Sequence, residues 1–163
     1  APFHFLKDGK TVDQIPLERF YGPAVLVDLA PGGELPAKTP ITPDMLQPYA
    51  SLFREGHRVI CRTGWYYHFG QAGYFTDLPS LTAEAARWIA ARRISLLGID
   101  MPTPSKIAGR ECHEVLLGPG SEIILVEGLT NLHNLPKEFI FAGFPLNLPG
   151  RDGSPVRAVA IVE

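Results

Sequence analysis

The sequence predicts an α/β domain built on a mixed β-sheet with flanking helices. Three observations carry that expectation. Over the first hundred residues, apolar β-type runs alternate with helical patterns, which is how strand and helix layers are laid down in turn. From Ser121 onward, strand-like runs follow one another with little helix between them, so the sheet is not purely parallel. The 16 glycines and 16 prolines punctuate junctions throughout and never gather into a linker, so the 163 residues read as one domain.

Taken in order, "AVLVDL" at 24–29 is a buried strand bracketed by "YGP" and "PGG". Thr42, Pro43 and Asp44 supply an N-cap, a proline at the first helical position and a first-turn acid. They predict a helix from about Pro43 to Arg54, with Pro48 able to shorten or kink it. "HRVICRTG" is the next strand, followed by an aromatic, glycine-rich loop, "WYYHFGQAGYFTDLP". Leu81, Ala85, Trp88 and Ile89 share one face of a second helix capped by Thr82 or Ser80. "ISLLGID" is a strand, "CHEVLL" a short helical turn, and "SEIILVEGL", "EFIFAGFPL" and "RAVAIVE" are three further strands.

The composition excludes several function classes. Hydrophobic content of 45% and charged content of 20% are those of an ordinary globular protein. A net charge of −2 with scattered basic residues gives no footprint for nucleic acid or an anionic membrane. No apolar run approaches the ~20 residues of a membrane span. Cys61 and Cys112 sit among apolar residues and read as buried thiols rather than a redox pair. The cytoplasm is the expected compartment.

Familiar motifs fail on spacing. "GKT" at Gly9–Thr11 lacks the phosphate-loop glycine, since His4 stands in its place, and "HEVLL" at His113 lacks a second histidine four residues on. Neither G-x-S-x-G nor G-x-G-x-x-G occurs. Of the five histidines, His113 is the most suggestive, because an apolar turn anchors it. Glu127 closes the apolar run "IILVE", where a carboxylate must be solvated, paired or bound to a cation. Imidazole and carboxylate together suit zinc or manganese, but a catalytic zinc usually takes three protein ligands.

The stretches "APFHF", "IPLERFYGPAVLVDL", "VICRTGW", "LTAEAARWIAARRISLLGID", "HEVLL", "IILVEGLTNL" and "GSPVRAVAIVE" occur in an order that spans nearly the whole chain. In this the sequence resembles the cyclase family of metal-dependent hydrolases, whose best-known members are bacterial kynurenine formamidases and isatin hydrolases. The family signature is His-x-Gly-Thr-His-x-Asp-Ala-Pro-x-His-Phe, and Ala1-Pro2-Phe3-His4-Phe5 match its last five positions.

The resemblance implies a fold of the swivelling β/β/α type and a hydrolase in which one or two divalent metals activate water. It puts His4 in the place of the general acid/base, His113 in that of a metal ligand and Glu127 in that of a ligand able to bridge two metals. Glu122 is the alternative to Glu127. The signature positions before the Ala, two histidines and an aspartate, imply that residues 1–163 form a single cyclase-family domain lacking its N-terminal metal-binding segment. Weak or no metal binding by this exact chain is the corresponding expectation.

The expected activity is hydrolysis of an aromatic amide, as in a kynurenine formamidase acting in tryptophan catabolism. Hydrolysis of a cyclic amide or lactone, as in isatin hydrolase, and a metal-free binding or scaffold role are the alternatives. Trp65, Tyr66 and Phe69 are candidates to line an aryl pocket. The expected assembly is a homodimer or homotetramer.

Overall fold

The computed structural model describes residues 1–162. Its centre is a six-stranded sheet of β1 (Tyr21–Asp28), β3 (Arg58–Arg62), β5 (Leu96–Ile99), β6 (Ile124–Val126), β7 (Glu138–Ala142) and β8 (Val159–Ile161). The strand order is β6-β5-β3-β1-β7-β8. Neighbours from β6 to β1 run parallel, whereas β7 is antiparallel to β1 and β8 to β7. The sheet is therefore mixed, with its antiparallel part built from the late strands that follow one another without helices. A separate parallel pair joins β2 (Pro40–Ile41) to β4 (Ser80–Leu81).

Parallel strands need crossover connections, and helices supply them. α1 (Pro43–Leu46) lies between β1 and β3, α2 (Ala83–Ala90) between β3 and β5, and α3 (Gly109–Leu117) between β5 and β6. The expected helix over 43–54 is α-helical only to Leu46 and continues as a tighter 3₁₀ turn over Gln47–Leu52. Pro48 explains the change, because it has no N–H to give to the i−4 carbonyl. In α2 the Thr82 hydroxyl caps the Ala85 N–H at 3.2 Å. The turn at "CHEVLL" is longer than expected, a two-and-a-half-turn helix that starts at Gly109.

Strand alternation sorts the core into two layers. Val27, Val59, Cys61, Leu97 and Ile99 pack under the helices with Leu46, Ile89, Cys112 and Leu116. Ala24, Ile60, Leu96, Val126, Phe139 and Phe141 face the other side, beneath Ile15, Phe20, Leu129 and Leu132. Both cysteines are buried and unpaired, and burial pushes the Cys61 and Cys112 thiols up, away from thiolate. Neither is expected to react with iodoacetamide at pH 8 in the native protein, while both react in urea. Mass spectrometry reads the outcome, and labelling of the folded chain would contradict this packing.

Candidate active site

The site is assembled from both ends of the chain around the end of β6. Glu127 follows the last residue of that strand, where "IILV" has delivered it from the core to a cavity mouth. His113 is presented by α3, whose buried face carries Cys112, Leu116 and Leu117. His4 comes from a short 3₁₀ turn over Pro2–His4 in which Pro2 is the buried anchor. All three line one cavity of about 470 Å³, together with Asp152, Val126 and Val156.

Hydrogen-bond partners orient both imidazoles. His113 is almost fully buried and its Nδ1 lies 2.7 Å from the Gly109 carbonyl. A carbonyl only accepts, so Nδ1 is the donor in this bond. His113 Nε2 sits 3.6 Å from Glu127 Oε1, beyond hydrogen-bonding distance. Phe5 stacks on the His113 ring at 4.4 Å and 17°, which holds the imidazole plane. The His4 ring lies 5.8 Å from that of His113. His4 Nδ1 is 2.5 Å from Asp152 Oδ2, and the hydrogen bond from His4 holds the Asp152 carboxyl below the usual carboxylate range.

The His113–Glu127 pair fits two ligands of one divalent cation. Zinc binds nitrogen and oxygen ligands at ~2.0–2.2 Å, which in a tetrahedron places two donors roughly 3.3–3.6 Å apart. A bond from the other ring nitrogen, here Nδ1, to a backbone carbonyl is also what ligating histidines normally make. Among the described residues, no cluster of three or more histidine, cysteine or acidic side chains is placed to hold a metal. This pair is thus a partial donor set.

The structure brings His4, His113 and Glu127 together from positions far apart in sequence. Glu122 is elsewhere, paired with Lys10 at 3.0 Å. The aromatic residues named as an aryl pocket do not line this cavity. Trp65 is 2% exposed, with its indole N–H donated to the Tyr74 carbonyl at 2.9 Å. Tyr66 is buried with its hydroxyl 2.6 Å from His133 Nδ1, while Phe69 is 72% exposed. The reason lies in the preceding turn: Gly64 adopts φ +82° and swings the chain so that Trp65 enters the helix-side core. Asp152 was not among the expected site residues. It lies in a Gly- and Pro-rich loop 148 residues from His4, and no local spacing connects the two.

The Cyclase family model matches residues 1–106. The chain is 31% identical to a kynurenine formamidase of Bacillus mycoides over 163 residues, covering 98% of this chain and 71% of the relative. Isatin hydrolase A from Labrenzia aggregata, solved bound to benzyl benzoate, superposes with a TM-score of 0.85 at 28% identity, over 100% of this chain and 71% of that one. A structure described as a potential metal-dependent hydrolase with cyclase activity gives 0.81 at 27% identity, over 98% and 74%. The mixed sheet, its flanking helices and these matches together show that the chain belongs to the cyclase family.

Proposed function

We propose that the chain is a metal-dependent amidohydrolase that cleaves an N-formyl amide of an aromatic amine. One observation carries the reading: a single cavity sets His4 beside two adjacent donors, His113 Nε2 and Glu127 Oε1, that fit a divalent cation. The similarity to kynurenine formamidases supports the substrate class. Zinc or manganese suits the mixed imidazole and carboxylate donors. Such an ion polarises a substrate carbonyl and lowers the pKa of water toward neutrality.

The chain's own residues have separable tasks. His113 and Glu127 would hold the ion, with Phe5 and the Gly109 carbonyl fixing the His113 ring. His4 receives a proton at Nε2 from the attacking water and returns it to the leaving amine nitrogen, so one imidazole serves as base and then as acid. Ile15, Phe20, Val126 and Val156 give the cavity its apolar walls, against which the non-reacting part of a substrate can pack.

The reading extends to a cytoplasmic homo-oligomer. It is supported by two unpaired thiols and by exposed apolar residues such as Leu17, Leu146 and Ile161. Among the described residues, no helix is long and apolar enough to cross a membrane.

The test is hydrolysis of N-formylkynurenine and of isatin by the protein supplied with Zn²⁺ or Mn²⁺. Cleavage of the former supports the amidohydrolase, and preferential opening of isatin supports the second reading favoured by the superposition on isatin hydrolase A. Inactivity on both with metal bound would overturn the substrate class. His113→Ala and Glu127→Gln are each expected to weaken binding of the metal by at least ~10-fold, read by calorimetric titration.

A further inference from the structure

The loop that carries Asp152 is fastened to the segment that carries His4. The Ala1 nitrogen donates to the Asp152 carbonyl at 2.9 Å, and the Val12 N–H donates to the Arg151 carbonyl at 2.8 Å. The Gly150 N–H donates to Asp13 Oδ1 at 3.0 Å. These bonds bracket the His4–Asp152 contact on both sides and fix the distance between the two side chains. Phe5 and His113 make edge contacts with the His4 ring, and Glu127 and Phe20 line the same cavity.

We propose that Asp152 is the positioning residue for His4, accepting the Nδ1 proton so that Nε2 is left bare toward the cavity. A free neutral imidazole side chain favours the opposite tautomer, with its proton on Nε2, and a base in that form cannot accept from water at Nε2. An ionised carboxylate accepts only, so its bond to Nδ1 reverses the preference. The same bond restrains rotation of a ring that is half exposed and otherwise held by edge contacts alone. As the ring gains a proton at Nε2 during the reaction, the negative charge beside Nδ1 stabilises the imidazolium. Nothing is transferred to Asp152 in this scheme, which orients and stabilises while His4 alone exchanges protons with the reactants. The inference rests on the acid/base role of His4 in the proposed hydrolysis.

The test combines nuclear magnetic resonance with kinetics on the full chain, using ¹⁵N-histidine-labelled protein above the histidine titration range and His4→Gln to assign the signal. Wild-type His4 is expected to show a protonated Nδ1 and a bare Nε2. In Asp152→Ala and Asp152→Asn the signal should move toward the Nε2-protonated form. On N-formylkynurenine, the same variants should lose about 10- to 100-fold in kcat with KM changed by less than about 2-fold. Asp152 is half exposed, and the bonds of Ala1 and Val12 run to backbone carbonyls that both variants keep, so the variants remain folded. A wild-type His4 protonated on Nε2, or a tautomer unaltered by Asp152→Ala, would overturn the assignment. A tautomer that switches as described in a protein inactive on both substrates would instead reject the proposed reaction and leave Asp152 in its positioning role.

Discussion

Replacing His4 by glutamine is expected to lower kcat for N-formylkynurenine by about 10²- to 10⁴-fold, the usual contribution of a placed general acid/base. Glutamine keeps the approximate size and a hydrogen-bonding end, but it neither accepts nor delivers a proton near neutral pH. His4 is half exposed and lies on a turn anchored by Pro2, so the substitution leaves the core intact. Metal affinity should therefore stay within a few-fold of wild type, because the proposed ligands are His113 and Glu127. Steady-state kinetics beside a metal titration separates these effects. A His4→Gln protein that retains more than about a tenth of kcat would remove His4 from the chemistry.

The largest effect on stability is expected at Asp100, which ends the apolar run "LLGI" and is fully buried. Its carboxylate accepts from the Thr63 N–H at 3.0 Å, the Thr63 hydroxyl at 2.6 Å and the Gly64 N–H at 2.7 Å. These bonds hold the turn in which Gly64 has φ +82° and passes so close to Glu34 that a Cβ would lie 2.6 Å from its Cα. Asp100→Ala leaves three buried donors without partners, and its cost is expected to be about 3–5 kcal/mol, since each unmet donor costs ~1–3 kcal/mol before relaxation. Urea unfolding measures it, and a loss under about 1 kcal/mol would show that the turn does not depend on the carboxylate.

Burial raises the Asp100 carboxyl above its ordinary value, with these hydrogen bonds opposing the shift. The folded state then binds this proton more readily than the unfolded chain. Stability from this group is greatest below the unfolded value of ~3.9 and falls as pH rises through the higher folded one. Asp100→Ala is expected to remove that component of the pH dependence.

Much of the fold was legible because its signals are local. The β1 and β3 runs are short, apolar and flanked by turn residues, and Thr82 caps α2 as its position before an amphipathic run suggests. Pro48 acted where a missing N–H must act. The pairing of β7 with β1 was not legible, since antiparallel addition beside the first strand depends on contacts more than a hundred residues apart.

The site divides in the same way. His4, His113 and Glu127 are candidates through stretches that stand in the sequence as written, and folding places them around one cavity. Asp152 carries no such signal: an acid between arginine and glycine in a loop looks like any solvated turn until the loop is seen lying on His4. The aromatic cluster misled for a related reason. Composition shows that Trp65 and Tyr66 are rings suited to an apolar pocket, but a single left-handed glycine decides that they fill the core.

In the proposed hydrolase a divalent ion sits between His113 and Glu127, next to His4. Titration of histidine-labelled protein with Mn²⁺ tests it directly, because the paramagnetic ion broadens resonances of nearby imidazoles even when weakly held. His57 precedes β3, His68 pairs with Glu34, and His133 pairs with Tyr66, so these three serve as internal references. His113 and His4 are expected to broaden first, and Glu127→Gln to abolish the selectivity. Equal broadening of all five histidines, or early loss of His57, His68 or His133 alone, would contradict it.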